Sequence, residues 1–371
     1  MIIGIDASRA NTDHRTGTEW YSFHVIQELK KIIPAEHTVR VYVKEALKKD
    51  LLPLPSNWEV RVLGWRPGLF WTQLRLSIEM LFHSPDVLYV PAHTIPVISP
   101  KNTVTVIHDV GFVTHPELYS ASELRYHRFS LRLAVKKARE LITISDFSKK
   151  EIGKIAPQIH NRLHKIYNGL HVRNIEPDNS ILERFQLRDK KILLTIGRVE
   201  EKKNSPRLAE AFAAYATAGD PSAVLVFAGG AGFGASAIQD FIKERQLENR
   251  VIFTGYLSDA EIVALLQHAH AFVFPSLYEG FGMPILEAFS YGLPVICSNI
   301  EPLREIGGET AVYFDPYSTN EITHAIEHAI NTTMTAKERD LQKTAGKVYI
   351  ERFSWEQTAG ATWKIIEAMV L

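Results

Sequence analysis

The sequence predicts an α/β protein made of two doubly wound domains. Short apolar runs alternate with amphipathic stretches along the whole chain, which is typical of parallel strands connected by helices. This alternation restarts after a polar segment at residues 173–190, which is the predicted linker. A length of 371 residues, with 46% hydrophobic and 23% charged residues, suits two or three ordinary globular domains.

Seven apolar runs predict the strands of the first domain, residues 1–172. They lie at residues 2–6, 39–43, 60–63, 87–90, 104–107, 141–144 and 164–166. Between them, residues 20–33, 122–139 and 146–156 show helical periodicity. The stretch at 122–139 carries a strongly basic face.

The same pattern predicts the second domain at residues 191–352. Its strands are expected at residues 192–196, 224–228, 251–253, 271–274 and 294–297, and its helices at 205–218, 235–246, 259–268, 284–291 and 321–331. A last amphipathic helix within residues 353–371 could pack on either domain. Doubly wound domains bind ligands at the carboxyl ends of their strands, and we expect the two crevices to face each other.

Composition excludes several classes of protein. The single cysteine, Cys297, excludes an internal disulfide and a thiolate metal cluster. The start of the chain predicts no signal peptide, and no uncharged stretch is apolar enough to predict a membrane-spanning helix. Residues 1–172 hold 23 Lys and Arg against 16 Asp and Glu, whereas residues 173–371 hold 19 against 26. This imbalance either indicates an anionic partner for the first domain or is scatter.

The segment EGFGMPILE at residues 279–287 is the sharpest motif. It follows a predicted strand, and Pro284 suits the first turn of a helix. Gly282 allows the backbone to approach a ligand, and the free amides of a helix start favour an anion such as a diphosphate. Glu287 would tolerate that neighbour by accepting hydrogen bonds from a ribose diol, and Glu279 would reach a sugar. Alternatively, Glu279 is an ordinary turn residue, and Glu287 is a carboxylate on the solvated face of the helix.

Cations follow another strand end. Arg198 and Lys203 leave the strand at residues 192–196, so both can converge on the same diphosphate and stabilise charge on a leaving group. The simpler interpretation is a solvated basic loop, which we favour for Lys202.

The first domain offers weaker signals. His108 ends the predicted strand at 104–107 and would hydrogen-bond a sugar hydroxyl or the acceptor, with Asp109 either fixing its tautomer or capping the next element. Gly17 and Thr18 open a helix after the first strand and would meet a phosphate. His93, His115 and His127 are interpreted as ordinary surface or core residues.

Several motifs of other catalytic and metal-binding sites are missing from the sequence. It contains no Asp-x-Asp triplet, no Walker A motif, no zinc-spaced His and Glu cluster and no Gly-x-Ser-x-Gly elbow. We therefore expect no metal and no cofactor.

With these motifs in place, the sequence resembles the retaining glycosyltransferases of family 4. These have the GT-B fold, in which two Rossmann-like domains face each other across a cleft. The matching segments are Glu279 and Glu287 with seven residues between them, IGRVEEKKN at 196–204, VIHDV at 106–110, ITISDFSKKEI at 142–152, IYNGL at 166–170, VIFTGYL at 251–257, PVICSN at 294–299 and FSWEQTA at 353–359. The last of these implies that the final helix crosses back to the first domain.

The resemblance implies a role for each candidate residue. Arg198 and Lys203 would bind the donor diphosphate, and Glu287 the ribose. Glu279 and the amides near Phe281, Gly282 and Met283 would hold the donor sugar. Tyr256 and Leu257 would lie by the base, Gly17 and Thr18 by the diphosphate, and His108 by the transferred sugar. The N-terminal loop, TGTEWYS, departs from the family's multi-glycine run, which weakens the assignment of Gly17 and Thr18.

The implied reaction retains the anomeric configuration, and front-face transfer is preferred because no carboxylate is placed as a nucleophile. The chain is most like bacterial mannosyltransferases of surface-polysaccharide and O-antigen assembly, so GDP-mannose is the first donor and a UDP-sugar the next. A glycan or lipid-linked oligosaccharide would be the acceptor, with no nucleic acid involved. We expect a cytoplasmic location. The basic helix and the aromatic segments at 69–71 and 81–82 suit either peripheral binding to the anionic inner face of the cell membrane or, alternatively, a solvated helix and core packing.

Three other functions stay open. Residues 230–235 match a dinucleotide fingerprint and would suit a nicotinamide oxidoreductase, although in an unusual position in the domain. A nucleotide-sugar epimerase and a non-catalytic sugar-binding module could share the same architecture.

Overall fold

The computed structural model describes the chain except for His14, 67–69, His171, Asn174, Ala218, Phe233, 332–340, 342–343, Lys347 and 370–371. Its residues form two units. The first unit combines Met1–Gly169 with Phe353–Leu371, and the second is Leu170–Arg352.

The first unit is built on a seven-stranded parallel sheet with the order β3-β2-β1-β4-β5-β6-β7. Its strands are β1 Ile2–Asp6, β2 Thr38–Val43, β3 Trp58–Val62, β4 Val87–Val90, β5 Thr103–Ile107, β6 Glu140–Thr143 and β7 Leu163–Lys165. Every residue of β4 and β5 is buried, as expected for central parallel strands covered on both faces.

Helices connect these strands. They are α1 Gly17–Ile32, α2 Ser77–His83, α3 Gly111–Thr114, α4 Ala121–Lys137 and α5 Asp146–Ile155, with a π-helical turn at Thr72–Leu76 and short 3₁₀ turns at Lys49–Leu51, Pro116–Leu118 and Pro157–Arg162. Ser120 and Ser145 start α4 and α5 by accepting hydrogen bonds from backbone N–H groups of the first turn, which explains where these helices begin.

The second unit repeats this organisation with a six-stranded parallel sheet of order β10-β9-β8-β11-β12-β13. Its strands are β8 Lys191–Ile196, β9 Ala223–Ala228, β10 Val251–Gly255, β11 Ala271–Phe274, β12 Val295–Ser298 and β13 Val312–Phe314. Its helices are α6 Ser180–Arg184, α7 Ser205–Ala216, α8 Ala235–Glu244, α9 Asp259–His268, α10 Met283–Ser290, α11 Glu301–Gly307 and α12 Thr319–Asn331, with a 3₁₀ turn at Glu201–Lys203. The sequence patterns missed β13 and α11, which are only three and seven residues long.

The helix α13, Trp355–Glu367, belongs to the first unit. The Thr358 hydroxyl donates to the carbonyl oxygen of Tyr167 at 2.7 Å, and the Trp355 ring stacks on His24 with ring centroids 5.0 Å apart. Val370, which the sequence included in this helix, lies outside the described residues. Within the described part of the chain, no helix combines the length and apolarity needed to span a membrane.

Each sheet has one place where the chain order reverses. In the first unit it lies between β1 and β4, and in the second between β8 and β11. The connections leave the two strands toward opposite faces there, so a crevice opens at the carboxyl ends of the strands, where doubly wound proteins bind ligands.

The segment predicted as a linker, residues 173–190, is part of the second unit. It contains α6, and Arg184 forms an ion pair with Glu261 at 2.6 Å. The backbone N–H of Asp178 donates to the carbonyl oxygen of Ala260 at 3.0 Å. The polar composition that suggested a linker thus includes Arg173 and Arg184, which form ion pairs with residues of α9.

The contact between Gly169 and α13 allows a test of this packing. A Cβ at Gly169 would overlap the backbone nitrogen and the ring of Trp355. We expect Gly169→Ala to lower the free energy of unfolding by about 2–4 kcal/mol, because α13 must move to accept the methyl group. The matched control is Gly153→Ala within α5, where nothing lies within 4 Å of the added atom. This control should be neutral or stabilise by about 0.5–1 kcal/mol, since alanine favours helix. Equal thermal unfolding of both variants would contradict the packing.

Candidate functional site

In the second unit, the loops after β8 and β11 meet at the reversal point. Lys203 Nζ lies 2.5 Å from Glu279 Oε1, and both side chains are largely buried. The backbone N–H of Leu277 donates to the carbonyl oxygen of Lys202 at 3.0 Å, which holds the two loops side by side. Two residues predicted independently, 76 positions apart, are therefore in direct contact.

Arg198 lies beside this ion pair. It lines a small pocket together with Lys203, Gly197, Ser205 and Pro275. Its side chain is 72% exposed, and its nearest ion-pair partner, Glu200, is 3.9 Å away. An extended, exposed guanidinium and a half-buried ammonium thus border one pocket, an arrangement suited to an anion with several oxygens.

The start of α10 faces the same end of the sheet. Gly282 precedes the helix with a φ of +114°, which other residues adopt only with strain. A Cβ there would lie 2.8 Å from Leu303 Cδ2. Phe281 is buried and Met283 begins the helix, so the chain turns sharply from β11 into α10. The positive end of the α10 dipole lies at this position and favours a negative charge there.

Glu287 lies one turn into α10 and is held by a residue that sequence reasoning missed. Arg173 Nη1 donates to Glu287 Oε2 at 3.0 Å, and Arg173 Nε donates to Asp259 Oδ1 at 2.9 Å. Arg173 and Glu287 are both 16% exposed. The sequence held no local signal for this contact, because 114 positions separate the two residues.

The residues assigned to the base lie where β10 ends. Tyr256 is 71% exposed and Leu257 is buried. Asp259, the partner of Arg173, begins α9 two residues later. One Arg therefore connects the loop carrying Tyr256 and Leu257 with the helix carrying Glu287.

In the first unit, Gly17 and Thr18 are the first residues of α1, whereas the sequence placed them in a loop before a helix that begins at Trp20. Thr16 and Glu19 form a reciprocal capping box at this helix start. Arg9 Nη1 also binds Glu19 at 3.0 Å. Burial would raise the pKa of Glu19, but the Thr16 hydrogen bond and the Arg9 charge together lower it. The helix start thus carries a carboxylate with its own cation.

His108 lies at the carboxyl end of β5, in the reversal-point crevice of the first unit. Its Nε2 is 3.2 Å from the carbonyl oxygen of Pro91, which can only accept, so Nε2 carries the proton and Nδ1 is left as an acceptor. Burial lowers the pKa of His108, which favours the neutral ring. Asp109 Oδ1 accepts from the backbone N–H of Gly111 at 2.9 Å, as in the capping alternative. Pro91, and not Asp109, therefore fixes the tautomer seen here.

Two histidines interpreted as ordinary form a pair in the same crevice. His93 Nε2 lies 2.9 Å from His127 Nδ1, and the ring of Phe112 stacks against His127 with centroids 5.2 Å apart. Burial, with the neighbouring His127 and His108, holds the pKa of His93 at about 3. His93 follows β4, so the order of the strands, which spacing alone does not reveal, brings it to this position.

The glycine-rich segment at residues 230–235 has a packing role. The backbone N–H of Gly232 donates to the carbonyl oxygen of Val199 at 3.0 Å, and a Cβ on Gly232 would lie 2.9 Å from Glu200 Cβ. The glycine thereby lets the loop that carries Arg198 pack closely. Phe233 of the fingerprint lies outside the described residues. Among the described residues, no group of three or more His, Cys, Asp or Glu could hold a metal ion.

Comparison with known proteins identifies the class. Residues 179–348 match the family described as glycosyl transferases group 1. The fold is similar to that of an Anabaena protein, HepE, solved with UDP and glucose (TM-score 0.74, 19% identity, 98% of each chain). It is also similar to WaaG, a glycosyltransferase involved in lipopolysaccharide biosynthesis (TM-score 0.74, 15% identity, 99% of each chain). The chain is therefore a glycosyltransferase with the GT-B fold, which confirms the predicted fold class and enzyme class.

Curated relatives narrow the resemblance. The chain is 29% identical to O-antigen chain mannosyltransferase B of Escherichia coli over 293 residues, covering 78% of this chain and 74% of the relative. It is 27% identical to the O-antigen chain mannosyltransferase RfbU of Salmonella typhimurium, covering 72% and 71%. The predicted similarity to bacterial mannosyltransferases is thus confirmed.

The histidine pair predicts how stability depends on pH. His93 titrates near 3 in the folded chain but near 6.5 when unfolded, so the unfolded state takes up a proton that the folded state does not. Stability should therefore fall as the pH drops from 7.5 to 5, with His93 accounting for about 2 kcal/mol. His93→Gln should remove that part of the loss, measured by chemical denaturation at both pH values. The exposed His160→Gln is the control, and an equal loss in all three proteins would contradict the assignment.

Proposed function

We propose that this glycosyltransferase transfers mannose from GDP-mannose to a glycan or lipid-linked oligosaccharide in bacterial polysaccharide biosynthesis, with retention of anomeric configuration. The observation that carries the proposal is the meeting of Arg198, Lys203, Glu279 and the α10 start at one reversal point. This set combines cations and the positive end of a helix dipole for a diphosphate with a carboxylate for sugar hydroxyls. The names of the two O-antigen relatives support mannose and polysaccharide assembly.

The Lys203–Glu279 ion pair suggests how the site receives its donor. A diphosphate would compete with Glu279 for Lys203, because it carries more charge than one carboxylate. Glu279 would then accept hydrogen bonds from the hydroxyls of the transferred sugar. Arg198, already exposed, can reach the same diphosphate from the other side of the pocket.

In the proposed reaction, the bond between the anomeric carbon and the diphosphate oxygen breaks while the acceptor oxygen attacks the same face. The acceptor proton passes to the departing diphosphate oxygen. Arg198 and Lys203 stabilise the charge that accumulates on this leaving group, so the site supplies that stabilisation from its own cations. No metal is assigned a role in this step.

The first unit would add His108 as a neutral hydrogen-bonding contact to the transferred sugar. Its pKa is lowered by burial, and its Nδ1 is the ring atom that can accept from a hydroxyl. Gly17 and Thr18, at the start of α1, are proposed as contacts to the diphosphate. Tyr256 and Leu257 are proposed as contacts to the base, and UDP is the second candidate because HepE was solved with UDP.

An exposed apolar surface on the first unit supports a membrane-bound acceptor. We name it the apolar–basic surface. Its apolar members, all exposed, are Phe70, Leu74, Ile78, Leu81, Phe82, Val97, Ile98 and Phe129. Its basic members, on or just after the exposed face of α4, are Arg125, Arg128, Arg132, Lys136, Lys137 and Arg139. Leu69, which the sequence grouped with Phe70, lies outside the described residues.

Three hydrogen bonds hold the parts of this surface together. Gln73 donates to the Tyr126 hydroxyl at 3.3 Å, joining the π-helical turn to α4. The backbone N–H of Ile98 donates to the Ser77 hydroxyl at 3.2 Å, and Lys137 donates to the carbonyl oxygen of Val97. Apolar side chains surrounded by Arg and Lys suit an anionic lipid surface. We therefore propose that the enzyme acts at the cytoplasmic face of the membrane.

The donor site is tested by turnover with GDP-mannose and, in parallel, UDP-glucose. Arg198→Ala and Lys203→Ala should each lower kcat by about 100-fold or more, because each removes charge stabilisation from the leaving group. Lys202→Ala removes the same charge from the same loop and should stay within a few-fold of the unchanged enzyme. Near-normal kcat in both Arg198→Ala and Lys203→Ala, with either donor, would refute the diphosphate site.

Membrane binding is tested by flotation with vesicles of phosphatidylglycerol and phosphatidylethanolamine. Arg128→Glu with Arg132→Glu should lower the bound fraction at least about 10-fold, since each basic residue near an anionic surface contributes about 1 kcal/mol. Phe82→Ser, at a side chain that is 71% exposed, should also weaken binding. The control is Lys243→Glu with Arg245→Glu, which reverses two charges on or just after α8. Equal flotation of all these proteins would remove the proposed surface.

A further inference from the structure

We infer that Arg173 is a positioning residue that holds Glu287 for the ribose diol of the donor nucleotide and links it to the loop beside the base. The inference rests on the proposed function. It adds a residue in the segment that the sequence assigned to a linker. It also gives that segment a part in nucleotide recognition.

The contacts of Arg173 define this role. Its fork is divided between two carboxylates, with Nη1 on Glu287 Oε2 at 3.0 Å and Nε on Asp259 Oδ1 at 2.9 Å. Its own carbonyl oxygen accepts from the Tyr291 hydroxyl at 3.2 Å. Burial lowers the pKa of Arg173, but the hydrogen bonds and charges of Glu287 and Asp259 together raise this pKa by more, so the guanidinium stays protonated. A planar fork fixes the direction of both acids, which a lysine cannot do.

Residues that follow Arg173 in the same segment also contact α9. Asp259, Ala260 and Glu261, consecutive residues in the first turn of α9, contact Arg173, Asp178 and Arg184 respectively. Glu261 also caps α9 through Ser258. The ion pair of Arg173 with Asp259 is therefore one of three contacts between this segment and the first turn of α9.

Electrostatics explains why Glu287 needs this partner. It lies near the start of α10, where the proposed diphosphate would bind, and two anions in that space would repel each other. Arg173 neutralises the carboxylate through Oε2. Within the described residues, no side chain is hydrogen-bonded to Oε1, so this oxygen can accept from a ribose hydroxyl.

The link to Asp259 adds a second consequence. Asp259 lies two residues after Leu257 and three after Tyr256, the residues proposed to contact the base. Because one guanidinium holds both Asp259 and Glu287, a nucleotide that engages the base loop meets a carboxylate already oriented for its ribose. Recognition of the 2′-hydroxyl should therefore depend on Arg173.

The test is isothermal titration calorimetry of the full chain with GDP and 2′-deoxy-GDP, and with UDP and 2′-deoxy-UDP. The unchanged protein should bind the ribonucleotide about 10-fold or more tightly than its deoxy counterpart, as expected when a buried hydrogen-bond partner is lost. Arg173→Met should weaken ribonucleotide binding about 10-fold or more. It should also bring the ratio of the Kd for the deoxynucleotide to the Kd for the ribonucleotide, called the ratio below, close to one. Arg173→Lys keeps the charge but not the planar guanidinium, so its ribonucleotide affinity and its ratio should lie between those of the unchanged protein and of Arg173→Met.

The KM for the donor sugar nucleotide should rise in Arg173→Met, with kcat within a few-fold of the unchanged enzyme.

Arg184→Met is the matched control, because it removes an ion pair from the same segment and the same α9 turn without touching Glu287. It should keep both the affinity and the ratio. Glu287→Gln should lose the ratio, and combining it with Arg173→Met should add little, since both changes act on the same carboxylate. If Arg173→Met fails to fold, as judged by circular dichroism, the ratio in Arg173→Lys tests the proposal: a reduced ratio supports the positioning role, and an unchanged ratio contradicts it.

The outcomes separate the two levels of the proposal. If Glu287→Gln loses the ratio while Arg173→Met and Arg173→Lys keep it, Arg173 has no positioning role and the ribose site stands. If Glu287→Gln keeps the ratio too, the ribose assignment falls, and the role of Arg173 falls with it. A loss of the ratio in Arg184→Met would identify a general effect of the segment and overturn the specific role of Arg173.

Discussion

The ion pair between Lys203 and Glu279 is the contact on which the candidate site depends. It joins the end of β8 to the end of β11, two strands that are neighbours only because the chain order reverses between them. Both groups are largely buried, so removing either would leave a charge poorly solvated. The pair therefore holds the two loops together. In the proposed function, the donor diphosphate would compete with Glu279 for the lysine and turn this structural contact into a binding site.

The same logic applies to the other acids at the predicted positions. In the second unit, Glu279 is paired with Lys203 and Glu287 with Arg173. At the start of α1 in the first unit, Glu19 is paired with Arg9. A carboxylate that already has a cation can accept hydrogen bonds from sugar hydroxyls with less repulsion toward phosphate. Glycosyltransfer needs both kinds of recognition within a few ångströms. In the proposed site, an acid paired with its own cation would bind sugar hydroxyls without repelling the phosphate groups nearby.

What the sequence could predict follows from the range of the interactions involved. The two-domain α/β fold and the strand-end motifs were predictable, because strands, glycine turns and helix starts leave local patterns. Arg198, Lys203 and Glu279 were found because each lies in the loop that follows a strand. Arg173 and the His93–His127 pair were missed, since their contacts join residues 114 and 34 positions apart. One alternative from the sequence was that Asp109 fixes the tautomer of His108, whereas the His108 ring is hydrogen-bonded to the carbonyl oxygen of Pro91, just after β4.

The apolar–basic surface follows a different physical rule from the rest of the first unit. Central strands there are fully buried, yet Phe82 and the other apolar members of this surface are exposed. Large apolar patches rarely stay exposed in monomeric proteins unless something covers them. The cations of the exposed face of α4 would oppose self-association, because two copies would bring like charges together. In the proposed function, an anionic lipid surface would bury the apolar side chains and neutralise the basic ones, and a lipid-linked acceptor would be found there.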